Sequence, residues 1–156
     1  MKKSVLTITV AFLFGSLVFS QNVPVNIILY EGQPIQAYHF GQKECNGNEQ
    51  YMGYIMLKGK YMEQVTEIKD YSTISKLELS GFTKEPENSV GNEKGKIVVH
   101  KKNGLIVTLD DAELIQSCMG SDEKYNQIKV QVINPLTDKI FEKSLSIVNI
   151  KAIIFQ

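Results

Sequence analysis

Arginine is absent from this chain: all 17 basic residues are lysine, set against 17 acidic residues. Without guanidinium forks there is no bidentate grip on phosphate or guanine, and without a basic excess there is little counterion release to drive association. A nucleic-acid partner is therefore not expected. Histidine is scarce, with only His39 and His100, and cysteine is limited to Cys45 and Cys118. Neither cysteine belongs to a Cys-x-x-Cys pair, so redox chemistry of that kind has no support. A phosphate-binding glycine loop and a nucleophile elbow are also missing.

Long apolar runs are confined to the start. MKKSVLTITVAFLFGSLVFS carries Lys2 and Lys3, then an uncharged apolar stretch, with Val18 and Ser20 where a signal peptidase reads. That is the layout of a signal peptide over residues 1–20, and the run is shorter than the roughly twenty residues a membrane-spanning helix needs. No later stretch could replace it, so no transmembrane helix is expected after cleavage. No cysteine marks a lipid-anchor site. The expected mature form, residues 21–156, loses two lysines and carries a net charge of −2. The predicted location lies beyond the inner membrane, periplasmic or extracellular, and the Ile/Asn/Lys-rich composition looks like that of an exported bacterial protein. Its length suits one domain, with enough chain to bury a core without a metal.

What is present is period-two patterning. Val25, Ile27 and Leu29 share one face, and so do Leu77 and Leu79, and Ile128, Val130 and Val132. Ile97–Val99 and Leu105–Leu109 flank Asn103-Gly104, a strong short hairpin signal. Isoleucine and valine dominate the apolar positions, which favours strands. The expected fold is all-β, an antiparallel meander-type sandwich or small barrel. At most one short helix is allowed, near residues 111–119, with Asp110 or Asp111 as its N-cap.

A degenerate repeat runs through the pattern. Laying VTLDDAELI over LSIVNIKAI matches Val107 with Leu145, Leu109 with Ile147, Ala112 with Ile150 and Ile115 with Ile153. A fainter third copy covers YIMLKGKYMEQVTEIKDYSTISKLEL, with Gly59 placed at its turn. Where the first copy has Asp110 and Asp111, the second has Val148 and Asn149. Asp and Asn suit such corners because their side chains bond nearby amides and tolerate turn geometry. The acidic pair therefore reads as turn punctuation rather than as partners of His100.

Candidates for chemistry are few. In an exported chain, Cys45 and Cys118 are expected to form a disulfide worth roughly 4 kcal/mol in the chain-entropy model. Two separate thiols or a metal pair are the alternatives. A zinc site recruiting His39, Cys45, His100 and Cys118 needs three distant segments to converge and has no local ligand pair. Ser121 and Lys124 match a Ser-x-x-Lys spacing without its companion motifs. Tyr38, Tyr51, Tyr54 and Tyr61 are candidate ligand-contact aromatics, though rings of this kind also fill cores and rims.

The expectation is a secreted or periplasmic non-catalytic β-domain that binds a protein, peptide or glycan, with no cofactor or metal. Two alternatives stand beside it. A small exported hydrolase or metal-dependent enzyme would need His39 or His100 to meet a carboxylate or cysteine in a hollow. A small outer-membrane barrel, prompted by the terminal Phe155, would need a lipid-facing band that the strands lack.

Overall fold

The computed structural model describes residues 23–41, 54–83, 94–118, 121–123 and 127–156. The strands are β1 (Val25–Leu29), β2 (Ile35–His39), β3 (Tyr54–Tyr61), β4 (Gln64–Ile68), β5 (Ile74–Ser80), β6 (Gly95–Lys101), β7 (Ile106–Cys118), β8 (Ser121–Glu123), β9 (Gln127–Ile133), β10 (Ile140–Ser146) and β11 (Ile150–Phe155). Hydrogen-bonded neighbours follow the order β10-β9-β2-β1-β11-β5-β6-β7-β3-β4, with β8 beside β7. The class is all-β and antiparallel, as the patterning predicts. Residues 1–20, expected to be a signal peptide, and Cys45 lie outside the described residues.

One bent strand lets this sheet enclose a core. β7 is 13 residues long. Its first half pairs with β6 as far as Ala112, and its second half pairs with β3 from Asp110 onward. Between them Asp111 takes a positive φ of 47°, a conformation that costs most residues but that Asp tolerates. Gly59 lies beneath this bend, where a Cβ would stand 2.9 Å from Leu109 Cβ and 3.2 Å from Ala112 Cβ. Gly59 is therefore a close-approach glycine inside β3. The turn of that hairpin is Met62-Glu63, at φ 48° and 65°, so the turn expected at Gly59 sits three residues further on. The stretch allowed as a short helix is the second half of β7. The described helical turn is a 3-10 turn, η1 (Ile147–Asn149), which joins β10 to β11.

The bend brings Ile55 and Leu57 of β3 into one buried cluster with Val25, Ile27, Leu77, Ile97, Ile128 and Ile153. Each such side chain stabilises the fold by about 1.5–3 kcal/mol as an upper estimate. Three aromatic rings close one end. Tyr71 and Phe155 stack at 4.7 Å, and Phe40 meets both edge-on at 5.5 and 5.7 Å. The buried Tyr71 hydroxyl donates to the Ile55 carbonyl at 2.7 Å, which leaves its phenol satisfied. Phe155 is thus a core residue.

Among the described residues the end strands β10 and β4 do not pair with each other, so the described sheet is not a closed barrel, and no described helix is long and apolar enough to cross a membrane. Where β9 approaches β7, the Lys129 N–H donates to Oε1 of the buried Gln116 at 3.1 Å. This side-chain amide links two strands that are not paired with each other by a backbone ladder.

Candidate functional site

Strand alternation sends Leu77 and Leu79 of β5 into the core and leaves Lys76 and Glu78 on the opposite face. On β6, Val99 turns inward and His100 outward, and the register sets His100 opposite Lys76. Three ionisable groups from adjacent strands therefore converge. His100 Nε2 lies 3.3 Å from Glu78 Oε2, an ion-pair distance without hydrogen-bond geometry, and Lys76 Nζ bonds Glu78 Oε1. The Lys76 hydrogen bond, reinforced by His100, holds the Glu78 carboxyl below its usual range. Ile106 stands opposite His100 and Ile154 opposite Lys76, so the cluster is rimmed by partly exposed aliphatic side chains.

The pairing of a histidine with a carboxylate is what a hydrolytic reading required. The site lacks the surroundings. It lies on the outer face of the sheet, with Glu78 and Lys76 partly in solvent although His100 Nε2 itself is shielded, and among the described residues no hollow opens on it to orient a substrate. A cleft among the described residues lies elsewhere, beside η1, lined by Tyr30, Leu79, Gly81, Phe82, Ile147 and Val148. At about 130 Å³ it is smaller than the roughly 300–1,000 Å³ of ordinary ligand pockets. Tyr30 reaches across its mouth and donates its hydroxyl proton to the Leu79 carbonyl at 2.9 Å.

The other residues singled out in the sequence do not join this cluster. Asp110 pairs with Lys96 at 3.4 Å and Asp111 with Lys60 at 2.7 Å. Both acids lie at the β7 bend, four and five residues beyond the Ile106 partner of His100. His39 is buried at the end of β2, its Nδ1 accepting the Val23 N–H at 3.4 Å. Among the described residues no three His, Cys, Asp or Glu side chains gather as a metal site. Cys118 ends β7 opposite Ser121, but its side chain, like Cys45 and Lys124, lies outside the described part, and so does the expected disulfide. Tyr38 is on β2 and Tyr61 on β3, six positions apart in the sheet order, so they share no platform. Tyr51 and the Tyr54 side chain lie outside the described part.

The strand–turn–strand order around Asn134-Pro135 follows from the patterning, but sequence reasoning missed that the β9–β10 hairpin leaves apolar side chains uncovered. Ile133, Leu136, Ile140 and Phe141 are all exposed, Leu136 by 91% and Phe141 by 44%. β10 pairs with β9 along one side, and its other side has no strand neighbour among the described residues. A signal was available. Ile140 and Phe141 are adjacent, and neighbouring residues of a strand point to opposite faces, so at most one could serve the core. Leu136 comes just after Asn134-Pro135, and its N–H donates to Asn134 Oδ1 at 2.9 Å, which fixes it in the turn.

No family model, curated protein or solved structure matches this chain. Its geometry alone has to carry the functional reading.

Proposed function

We propose that the mature chain, residues 21–156, is an exported non-catalytic domain that binds a protein or peptide along the free side of β10. The observation that supports this most is an edge strand whose apolar residues stay in water. Exposed strand edges invite pairing and are commonly guarded by charge. Here Lys139 on one side and Glu142 and Lys143 on the other flank the uncovered pair Ile140 and Phe141, and Leu136 is exposed in the adjoining turn. An extended segment laid beside β10 would gain backbone hydrogen bonds and bury these side chains, as in recognition by strand addition. No pocket, metal or acid–base pair is needed.

A photo-crosslinking residue at Leu136, with a second at Lys151 on β11 as the reference, tests this in the producing cells. Adducts are expected at Leu136 and not at Lys151, and they should vanish when Ile140 and Phe141 are both changed to Lys without loss of folding. Equal labelling at both positions would defeat the reading. Export is tested separately by the N-terminal sequence of the secreted form, expected to begin at Gln21.

The hydrolase reading retains one supporting observation, the His100–Glu78 contact. His100→Ala and Glu78→Gln are expected to leave the crosslinking pattern and the cellular phenotype unchanged. A phenotype lost in both, with folding intact, would favour the enzyme.

A further inference from the structure

Two asparagines of this chain sit in the same local trap. Asn103 Oδ1 accepts the Leu105 N–H at 3.1 Å, and Asn134 Oδ1 accepts the Leu136 N–H at 2.9 Å. In each turn the side-chain carbonyl is polarised by a backbone amide two residues on. The two asparagines differ in their C-terminal neighbour. Pro135 has no N–H to lose. Gly104 has one, has no side chain, holds a φ of 87°, and would find nothing within 4 Å of an added Cβ. Asn103 and Gly104 are both exposed at the tip of the β6–β7 hairpin.

We propose that Asn103 is a site of spontaneous deamidation, converted in the folded protein to aspartate and isoaspartate. The Gly104 nitrogen loses its proton to water or hydroxide and attacks Cγ of Asn103. A nitrogen–carbon bond forms, the side-chain carbon–nitrogen bond breaks, and ammonia leaves. Water then opens the five-membered imide at either carbonyl. Opening at the side-chain carbonyl yields aspartate, and opening at the main-chain carbonyl yields isoaspartate. The sum is one amide and one water giving one carboxylate and one ammonium, with no oxidant or reductant. The Leu105 N–H assists by stabilising the charge that develops on Oδ1 as the ring closes. The Gly104 N–H donates to the Lys101 carbonyl at 3.0 Å, and this bond must open first. The conversion is therefore slow and accumulates with the age of the molecule.

The product alters the hairpin that carries His100. It places a negative charge beside Lys101 and Lys102, and isoaspartate adds a backbone carbon to a tight turn. Turn length sets hairpin register, and the closing bond here, Lys101 N–H to the Leu105 carbonyl at 2.9 Å, lies one residue from the His100–Ile106 pair.

The test uses the folded mature chain, incubated at neutral and at mildly alkaline pH at body temperature. Cleavage after lysine puts Asn103 and Asn134 on different peptides, both separate from Asn46-Gly47. Mass spectrometry should find acid and isoacid accumulating at residue 103, faster at the higher pH, while Asn134 keeps its amide. The Asn103→Gly variant keeps a glycine-type turn and should lose the acidic shift of that peptide. Retention of the Asn103 amide in the folded chain overturns the proposal, whatever a urea-unfolded control does.

Discussion

The two corners matched by the internal repeat reach the same packing through different backbones. At the first, β7 stays a strand and bends through Asp111 at positive φ, with Gly59 below and lysine–carboxylate pairs above. At the second, the ladder breaks and η1 turns the chain, with the Tyr30 N–H donating to the Asn149 carbonyl at 2.9 Å. Three of the four matched apolar pairs are buried in both, Leu109 and Ile147, Ala112 and Ile150, and Ile115 and Ile153, whereas Val107 is only partly buried opposite the buried Leu145 of the second copy. The shared requirement is which side chains reach the interior. The residue type at the vertex does not by itself set the backbone route: Asp111 takes a positive φ, whereas its counterpart Asn149, equally tolerant of that conformation, lies in η1.

Changes at each corner should separate these two constructions. The largest effect is expected from Ile147→Ala, which empties a core position at the second corner and should cost about 2–5 kcal/mol in urea unfolding. Gly59→Ala should cost about 1–3 kcal/mol, because the new methyl meets Leu109 and Ala112 below normal contact distance. A smaller loss at Gly59 than in an exposed-strand control would mean that β7 is free to lift away, and the first corner would not be a fixed bend. The Met62-Glu63 turn has two non-glycine residues at positive φ. Replacing the pair with Asn-Gly should raise stability by about 1 kcal/mol, read as a higher melting temperature.

The smallest effect concerns Asp111. The hydrogen bond from Lys60, and then its charge, holds the Asp111 carboxyl below its ordinary range. A group with a depressed folded pKa adds stability above its unfolded pKa, and that contribution disappears as pH falls through the folded value. Asp111→Asn keeps the side chain's tolerance for positive φ and removes the charge. It should flatten part of the acid limb of a stability–pH curve while changing little at neutral pH. Added salt should shrink the difference, since both groups are in solvent. An unchanged acid limb would show that Lys60 is incidental to the corner.

Much of this architecture was legible in the residues. Leu77 and Leu79, Ile128 and Val130, and Val25 and Ile27 alternate inward as their spacing predicts, and Asn103-Gly104 makes the expected turn. The Asp110–Asp111 corner was legible as punctuation, because short polar side chains mark places where backbone geometry changes. Other features were hidden for physical reasons. Met62-Glu63 carries no turn signature, since the hairpin imposes positive φ on residues that do not favour it. Gly59 looked like a turn because a glycine needed for close approach is indistinguishable from one needed for φ until its neighbours are known. The His100–Glu78 contact depends on register between β5 and β6, and a slip of one residue would have sent His100 to the other face. That β10 has no second strand neighbour among the described residues was hidden because strand order is a tertiary fact.

Gln116 gives the unfinished seam a particular mechanical character. Its Oε1 holds the Lys129 N–H of β9 from β7, while its Nε2 finds no hydrogen-bond partner among the described residues. One rotamer of one amide therefore acts as the latch for that flank. If it swings aside, the Lys129 N–H loses its partner while the β9–β10 ladder stays intact. The amide proton of Lys129 should then trade with deuterium early, ahead of protons held inside the β5–β6 ladder.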